Sequence, residues 1–411
     1  MILAQQKESH RACGLPSATR WLLASAFLSN IATGVQNLAL AKLLYQATGS
    51  ATAFGLALVA DSLLASGVRL AVGTWIDGSA PRRVMMAADA VRGAVVLVVV
   101  GLILQDQHVF WVAAAVAATA VAKPIYNLAH YTLAPQINQN DLLLRYNSFR
   151  ASVLQAGWLS GLALAALVMT WRGPVVALAA TGAFYLAASA TLGLVPQASR
   201  VGETRSTVPP VKWSEVFVAI RTVRGLGAHL LVTSGDFVLV ALVNVAVVPL
   251  VAVYLHNQVY WLSVLDGSFT VGSLIMGFFA SKIIRRVGYR HAALIGLAAE
   301  CGLFAALALI HQAVVLIGVL GIFGASSTLS VMSLMTSLQR RSPAPIRARI
   351  AGVRGVGVAL LSAGLLPIVT SVGAYSLPLG LTISAMMAGA YFLLVAILGS
   401  SRVLGRALLG E

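Results

Sequence analysis

Long apolar stretches recur along the chain, separated by polar, basic, or glycine- and proline-containing segments. Each stretch has the roughly 20 residues that a helix needs to cross a hydrocarbon core of about 30 Å. The stretches lack the period-two alternation of barrel strands, so they predict α-helices. We place twelve of them at about 21–45, 51–76, 83–104, 109–133, 143–170, 173–195, 227–255, 259–284, 290–311, 313–338, 346–372 and 375–399.

Composition places these helices in a lipid bilayer. The 411 residues are 59% hydrophobic and only 10% charged, whereas a soluble domain carries roughly 25% charged residues. The pattern therefore predicts an all-α integral membrane protein with short loops and no large soluble domain. Two cysteines, Cys13 and Cys301, supply neither a metal-ligand set nor a disulfide framework, so we expect no cofactor and no metal.

Basic residues predict how the chain is threaded, because Lys and Arg beside spans are retained on the cytoplasmic side. They gather in the N-terminus, the even-numbered loops and the C-terminus, whereas the odd-numbered loops offer only Arg172. Both termini are predicted to be cytoplasmic, in the inner (plasma) membrane. The first twenty residues have no apolar core, so we expect them to stay rather than to be cleaved. The net charge of +16 follows from this topology, and its scatter over separate loops argues against nucleic acid as a partner.

The longest break between spans divides the chain into six helices plus six. It contains Pro209 and Pro210 and several charges, as domain linkers often do. The segment 277–286 follows the eighth span as 73–83 follows the second, which indicates an internal duplication. We predict a cytoplasmic N-terminus at 1–20, halves at 21–195 and 227–399, a cytoplasmic linker at 196–226, and a cytoplasmic C-terminus at 400–411.

The loop after the second span carries the most specific motif. Gly73 is followed four residues later by Asp77 and then by the paired basic residues Arg82 and Arg83. This loop resembles the signature of the major facilitator superfamily, and more narrowly that of its drug, macrolide and siderophore exporters. Further stretches that resemble this branch are 47–53, 88–92 and 339–349. The resemblance covers nearly the whole chain and implies two pseudo-symmetric six-helix halves.

The signature loop is expected to act as a conformational latch. A carboxylate at Asp77 can lie at the N-terminus of a neighbouring helix, where unpaired amides and the macrodipole favour negative charge, and Arg82 or Arg83 can pair with it. The resemblance implies that the neighbour is the eleventh span. Alternatively, the arginines only set topology and Asp77 is a solvated loop charge. In the third span Asp89 and Arg92 can pair with each other or with the loop arginines, and we favour a structural role for them. The latch set is Gly73, Asp77, Arg82, Arg83, Asp89 and Arg92.

Ionisable residues inside a bilayer cost several kcal/mol unless they are paired or hydrated, so each is a functional candidate. The candidates for proton coupling are Asp61, Asp236 and Asp266, with a structural ion pair as the alternative for each. The resemblance implies that spans one, four, seven and ten line a central cavity, and that Glu300 lies on a peripheral span, where it is paired structurally or snorkels. The candidates for the substrate cavity are Asn30, Gln36, Asn37, Lys123, Tyr126, Asn127, Asp236, Asn244 and Arg354.

These features predict a secondary active transporter, working as a monomer, that binds a small molecule in the bilayer. The resemblance implies export of a drug, a macrolide-like compound or a siderophore by alternating access, with the proton as coupling ion. Leu162 replaces the proline of the antiporter motif in the fifth span, which weakens the case for proton antiport. Uptake of a siderophore or nutrient, or a non-transporting scaffold or receptor, are the alternatives.

The chain has no phosphate-binding glycine loop and no catalytic histidine pattern, so we expect neither a nucleotide-driven pump nor an enzyme. Lys123 and Arg354 would suit an anionic substrate, and the aspartates a cationic one.

Overall fold

The computed structural model describes residues 15–48, 64–65, 67–69, 71–105, 110–139, 141–196, 213–223, 225–255, 260–310 and 312–400. This described part of the chain is built from α-helices joined by short turns. The helices are α1 (Ser17–Thr48), α2 (71–77), α3 (Pro81–Ile103), α4 (Phe110–Ile137), α5 (Asp141–Arg172), α6 (Pro174–Gly193), α7 (Trp213–Thr222), α8 (Leu226–Tyr254), α9 (Tyr260–Leu309), α10 (Ala313–Arg341), α11 (Arg347–Tyr375) and α12 (Leu377–Ser400).

The helix boundaries follow from local chain chemistry. Proline occupies the first helical position of α3 and α6, where its missing N–H costs nothing. The chain enters α6 through Gly173 at φ +83°, a left-handed conformation that favours glycine. Gly288, at φ +82°, bends α9 between the predicted eighth and ninth spans. The predicted all-helical membrane fold is confirmed.

Eight stretches of the described residues are long and apolar enough to cross a membrane, with α9 counted once although it contains two predicted spans. They are Pro81–Ile103, Asp141–Arg172, Pro174–Gly193, Leu226–Val251, Val264–Leu309, Ala313–Arg341, Ala344–Gly373 and Leu377–Leu398. Many of their large apolar side chains face outward, as expected where lipid is the solvent.

The helices pack as two bundles. In the first, α1 packs on α5 and α6, and α3 packs on α4 and α6. In the second, α9 packs on α10 and α12, and α8 packs on α11. Each bundle has its own apolar core, around Val96 and Leu178 in the first and around Leu297 and Phe323 in the second.

The two bundles are joined through α5 against α9 and α4 against α11. Leu144 of α5 packs in one buried cluster with Ala280 and Ile284 of α9. Ala348, near the start of α11, packs into the core of the first bundle. These contacts lie at the end of the molecule where α2 ends and α11 begins, which we call the latch end.

Candidate functional site

At the latch end, Asp77 binds the beginning of α11. Its Oδ1 accepts a hydrogen bond from the backbone N–H of Ala348 at 2.8 Å, and its Oδ2 accepts one from Nε of Arg349 at 2.8 Å. Ala348 and Arg349 are the second and third residues of α11, so the carboxylate lies on amides that have no partner within the helix. The side chains of Asp77 and Arg349 are only 3% and 2% exposed.

Gly73 allows this close approach. It lies one helical turn before Asp77, and a Cβ atom there would be 2.9 Å from Cγ of Arg349. Arg349 is held further by its Nη2, which donates to the carbonyl of Pro345 at 3.1 Å. Burial raises the pKa of Asp77, while the hydrogen bonds from Arg349 and Ala348 oppose this rise. Acid therefore neutralises Asp77 at a higher pH than it would an exposed aspartate.

The arginine that pairs with Asp77 is not the one the motif led us to expect. Arg82 instead donates to the carbonyls of Leu192 at 2.9 Å and Gly193 at 2.6 Å, at the C-terminus of α6. A cation is stabilised there by the helix dipole and by carbonyls without helical partners. Arg83 is exposed. The expected partnership of Asp77 with Arg82 or Arg83 is thus wrong: Asp77 pairs with Arg349, and α3 carries Arg82 towards α6 and away from α11.

A second polar contact joins the bundles at the latch end. Nδ2 of Asn147, on α5, donates to Oγ1 of Thr336 at 3.0 Å and to Oε1 of Gln339 at 2.7 Å, both on α10. A looser ion pair of 3.7 Å connects Arg340 to Asp141, whose side chain is 80% exposed. The buried contacts, not the exposed pair, hold this end closed, because exposed ion pairs contribute little.

Asp89 and Arg92 lie inside the first bundle. Nη1 of Arg92 lies 3.0 Å from Oδ1 of Asp89, and its guanidinium lies over the ring of Tyr185, 3.9 Å from the centroid. Gln36 extends the network, accepting from the Tyr185 hydroxyl at 2.9 Å and donating to Thr119 at 2.9 Å. The network is buried and links α1, α3, α4 and α6. Its further members are Ser29 and Thr33.

Three residues that were predicted to line the substrate cavity therefore lie inside the first bundle instead. Gln36 belongs to the network inside the first bundle. Asn30 donates to the carbonyl of Leu154 at 2.8 Å and so packs α1 against α5. Tyr126 is buried in the apolar core of the same bundle. Polar residues at helical spacing mark one face of a helix, but they do not say whether that face meets a cavity or another helix. Asn37 is half-buried.

One face of α4 carries a line of polar residues, the α4 stripe, that leads away from the latch end. Lys123, Asn127 and Tyr131 follow at four-residue intervals, which places them on one face of the helix. Tyr131 is buried beside Arg347 and Arg354 at the beginning of α11. Lys123 and Asn127 are exposed. The same face is therefore closed at the latch end and accessible towards the middle of the molecule.

A matching arrangement is found on α8. The guanidinium of Arg354, on α11, lies over the ring of Phe237 at 4.5 Å. Asn244 lies two turns further along α8 and is exposed. Two of the helices that pack against α11, α4 and α8, thus carry accessible polar groups at a distance from the latch end.

The predicted proton-coupling residues have three different surroundings. Asp236 is buried, with Oδ1 accepting a hydrogen bond from Ser330 at 2.9 Å, and the same hydroxyl lies 2.8 Å from Oε1 of Glu300. Asp266 is exposed near the beginning of α9, and Asp61 lies outside the described residues. Sequence reasoning missed Glu300 as a partner of Asp236. The available signal was a lone carboxylate in an apolar run, opposite the serine-rich tenth span.

Comparisons with known proteins agree with this architecture. The family model described as Major Facilitator Superfamily matches residues 22–367. The fold is similar to the crystal structure of a bacterial homologue of the iron transporter ferroportin in the outward-facing state, with a TM-score of 0.73 and 13% identity over 94% of this chain and 100% of that chain. It is also similar to the transporter FucP in the outward conformation, with a TM-score of 0.71 and 11% identity over 93% and 99% of the two chains. Such identities show the fold alone. No curated protein sequence matches significantly.

Proposed function

Because the chain belongs to the Major Facilitator Superfamily, we propose that it is a secondary active transporter that exports a small organic molecule by alternating access, with the proton as coupling ion. One observation carries this proposal. The two bundles are tied together at the latch end by the buried Asp77–α11 contact, while Lys123, Asn127 and Asn244 are accessible further along. A closed end beside accessible polar helix faces fits one state of an alternating-access cycle.

The latch end opens when α11 separates from α2. Opening breaks the bonds of Asp77 to Arg349 and to the Ala348 amide, and water then hydrates the separated charges. Hydration offsets much of the lost Coulomb energy, because taking both charges out of water costs several kcal/mol in the closed state. The closed and open states can therefore be close in free energy, so a ligand or a proton can shift the balance between them.

Orientation follows from the basic residues near the latch end. Arg82, Arg83, Arg285, Arg286, Arg340 and Arg341 lie in or beside the loops at this end. Positive residues are retained in the cytoplasm, so we place the latch end, both termini and the 196–226 linker there. The halves at 21–195 and 227–399 would then move about the cavity. Export is supported by the resemblance of the 73–83 and 339–349 stretches to exporters.

The accessible polar groups favour an anionic or neutral organic substrate. Lys123 is exposed beside Asn127, whereas Asp236 is only 1% exposed. A carboxylate or catecholate siderophore would fit such a surface. A lipophilic cation attracted by the exposed Asp266 is the second candidate, and uptake of a siderophore or nutrient is the alternative direction.

Ligand binding is the first test. Purified full-length protein is screened by thermal shift against lipophilic cations, macrolides, and catecholate and carboxylate siderophores, because a ligand of the native state raises the unfolding temperature. We expect an anionic siderophore to stabilise the protein and the effect to disappear in Lys123→Ala. Stabilisation by cations alone, unchanged in Lys123→Ala, would contradict the anionic assignment. No stabilisation by any of these compounds would count against an organic cargo.

Substitution of Asp77 tests the latch. Asp77→Asn keeps the shape but removes the charge, so we expect loss of most transport in proteoliposomes with an imposed pH gradient, while the ligand-induced thermal shift is kept. Asp141→Asn is the matched control, because it removes an exposed carboxylate at the same end whose ion pair is 3.7 Å long. Normal transport by a correctly inserted Asp77→Asn protein would contradict the latch.

A further inference from the structure

Three helices of the second bundle bring two carboxyl groups onto one hydroxyl. Oγ of Ser330 (α10) lies 2.9 Å from Oδ1 of Asp236 (α8) and 2.8 Å from Oε1 of Glu300 (α9). The same Oγ lies 3.0 Å from the carbonyl oxygen of Ser327. Asp236 is 1% exposed, and Glu300 and Ser330 are fully buried.

Counting hydrogens shows what this arrangement requires. A serine hydroxyl has one proton to donate and two lone pairs that accept. With both acids ionised, three acceptor oxygens would compete for that single proton, and at least one carboxylate oxygen would face a lone pair of Ser330. With one acid protonated, its O–H donates to Ser330, and Ser330 donates to the other carboxylate. One added proton therefore gives each of the two contacts between Ser330 and the carboxyl groups a hydrogen-bond donor.

In the described part of the chain, no cation is in direct contact with the pair. Within the described residues, no Lys, Arg or His nitrogen lies within 4 Å of either carboxylate. The Tyr391 hydroxyl of α12 donates to the carbonyl of Val232, and the Cys301 thiol of α9 donates to the carbonyl of Ala388. The other charged or titratable groups facing this region are Arg354 of α11, with Arg69 beside it, and His229 of α8, whose Nε2 lies 2.9 Å from the carbonyl of Leu334.

We propose that Asp236 and Glu300 hold a single shared proton through Ser330, and that this pair is the proton-binding site of the transporter. The coupling role rests on the proposed function, whereas the shared proton rests on the geometry alone. Two ionised carboxylates this close, buried with no described cation in direct contact, would cost many kcal/mol. The remaining oxygens, Oδ2 of Asp236 and Oε2 of Glu300, are buried without a hydrogen-bond partner.

The pair is connected to the latch through α11. Asp236 interacts electrostatically with Arg354, which lies five residues after Arg349 on the same helix. That separation is about 7.5 Å along the axis. Loss of the proton leaves both carboxylates charged, strengthens the attraction of Asp236 for Arg354, and so changes the balance of forces on the helix that Asp77 holds.

Infrared spectroscopy of the purified full-length protein reads the shared proton directly. At neutral pH isolated carboxyl groups, with a pKa of about 4, are ionised. We therefore expect a protonated-acid C=O band in the wild-type protein that shifts in D₂O and disappears in both Glu300→Gln and Asp236→Asn. In each variant the amide can donate to Ser330 in place of the acid proton. Glu215→Gln, which removes an exposed carboxyl group of α7, is the matched control and keeps the band.

Several outcomes would overturn the proposal. They are a wild-type spectrum without the band, a band that survives in both amide variants, or a band lost when NaCl replaces KCl, which would indicate a sodium site instead. Ser330→Ala gives a second test that does not depend on the acid variants folding, because loss of its hydrogen bond should move the band to higher frequency. The spectrum needs no substrate, so the two proposals can fail separately. Absence of transport by the wild-type protein would contradict the proposed function but not the shared proton.

Proteoliposomes test the coupling role. Glu300→Gln should keep the ligand-induced thermal shift but lose at least tenfold in accumulation driven by a pH gradient. Wild-type accumulation in this variant would overturn the coupling role.

Discussion

Asp77 and Asp89 each pair with an arginine and are both buried, yet their surroundings give the two pairs different roles. Asp77 meets Arg349 from the other bundle, so the pair can separate and become hydrated when the bundles part. Asp89 meets Arg92 on its own helix, and α1, α4 and α6 enclose both. No motion of one bundle against the other brings water to that pair. The first pair suits a latch and the second holds the bundle together.

Replacement of Arg92 tests the structural role. Arg92→Met leaves Asp89 as a buried charge without its cation, so we expect about 3–5 kcal/mol less stability. The measurement is the thermal unfolding midpoint in detergent. The double variant Asp89→Asn with Arg92→Met should recover much of the loss, because no unpaired charge remains. Equal midpoints for Arg92→Met and the wild-type protein would contradict this role.

At the scale of single residues, the sequence predicted some partnerships and missed others. The Asp89–Arg92 pair follows from a spacing of three on one helix. The choice of Arg349 over Arg82 and the meeting of Asp236 with Glu300 depend on how distant helices are rotated about their axes. Helices that are apolar on all sides carry little pattern to fix that rotation.

At the scale of helices, small residues decide which backbones meet. A Cβ atom on Gly34 of α1 would lie 2.8 Å from the carbonyl oxygen of Trp158, and one on Gly157 of α5 would lie 2.8 Å from that of Phe27. Gly157 and Gly161 lie four residues apart in the fifth span, a spacing that favours such close packing. The spans were predictable from the sequence because the bilayer imposes their length and apolar character.

Enlarging Gly157 should force α1 and α5 apart. We expect Gly157→Leu to lower stability by about 1–3 kcal/mol through overpacking, measured as a lower unfolding temperature. Gly302→Leu is the matched control, since nothing lies within 4 Å of a Cβ atom at Gly302, which is exposed in the middle of a helix. An equal effect of the two substitutions would show that helix packing is not the cause.

At the scale of the whole molecule, the bundles share one closed end and leave the α4 stripe accessible beyond it. Asn147 on α5 bonds α10 across the boundary between the bundles. This boundary could not be predicted in detail from sequence, because it joins segments almost 200 residues apart in the chain. The six-plus-six division stays a prediction from the linker and the repeated loop.

Cross-linking this boundary should trap one state. In a background of Cys13→Ser and Cys301→Ser, we expect Asn147→Cys with Gln339→Cys to lose transport when a short bifunctional thiol reagent is added. Each single-cysteine protein should keep transport under the same treatment. In the cross-linked protein an added Asn127→Cys should still react with a membrane-impermeant maleimide. Continued transport, or protection of that cysteine, would contradict the arrangement.

The hydroxyl shared by Asp236 and Glu300 also sets how many protons are exchanged for each molecule transported. A site that holds one proton admits one proton per turnover, so export of a neutral molecule in exchange moves one positive charge inward. Export of a monovalent anion moves the equivalent of two. Each elementary charge that crosses gains about 2.3 kcal/mol per 100 mV of membrane potential. A single buried serine would thus make the transporter responsive to voltage as well as to pH.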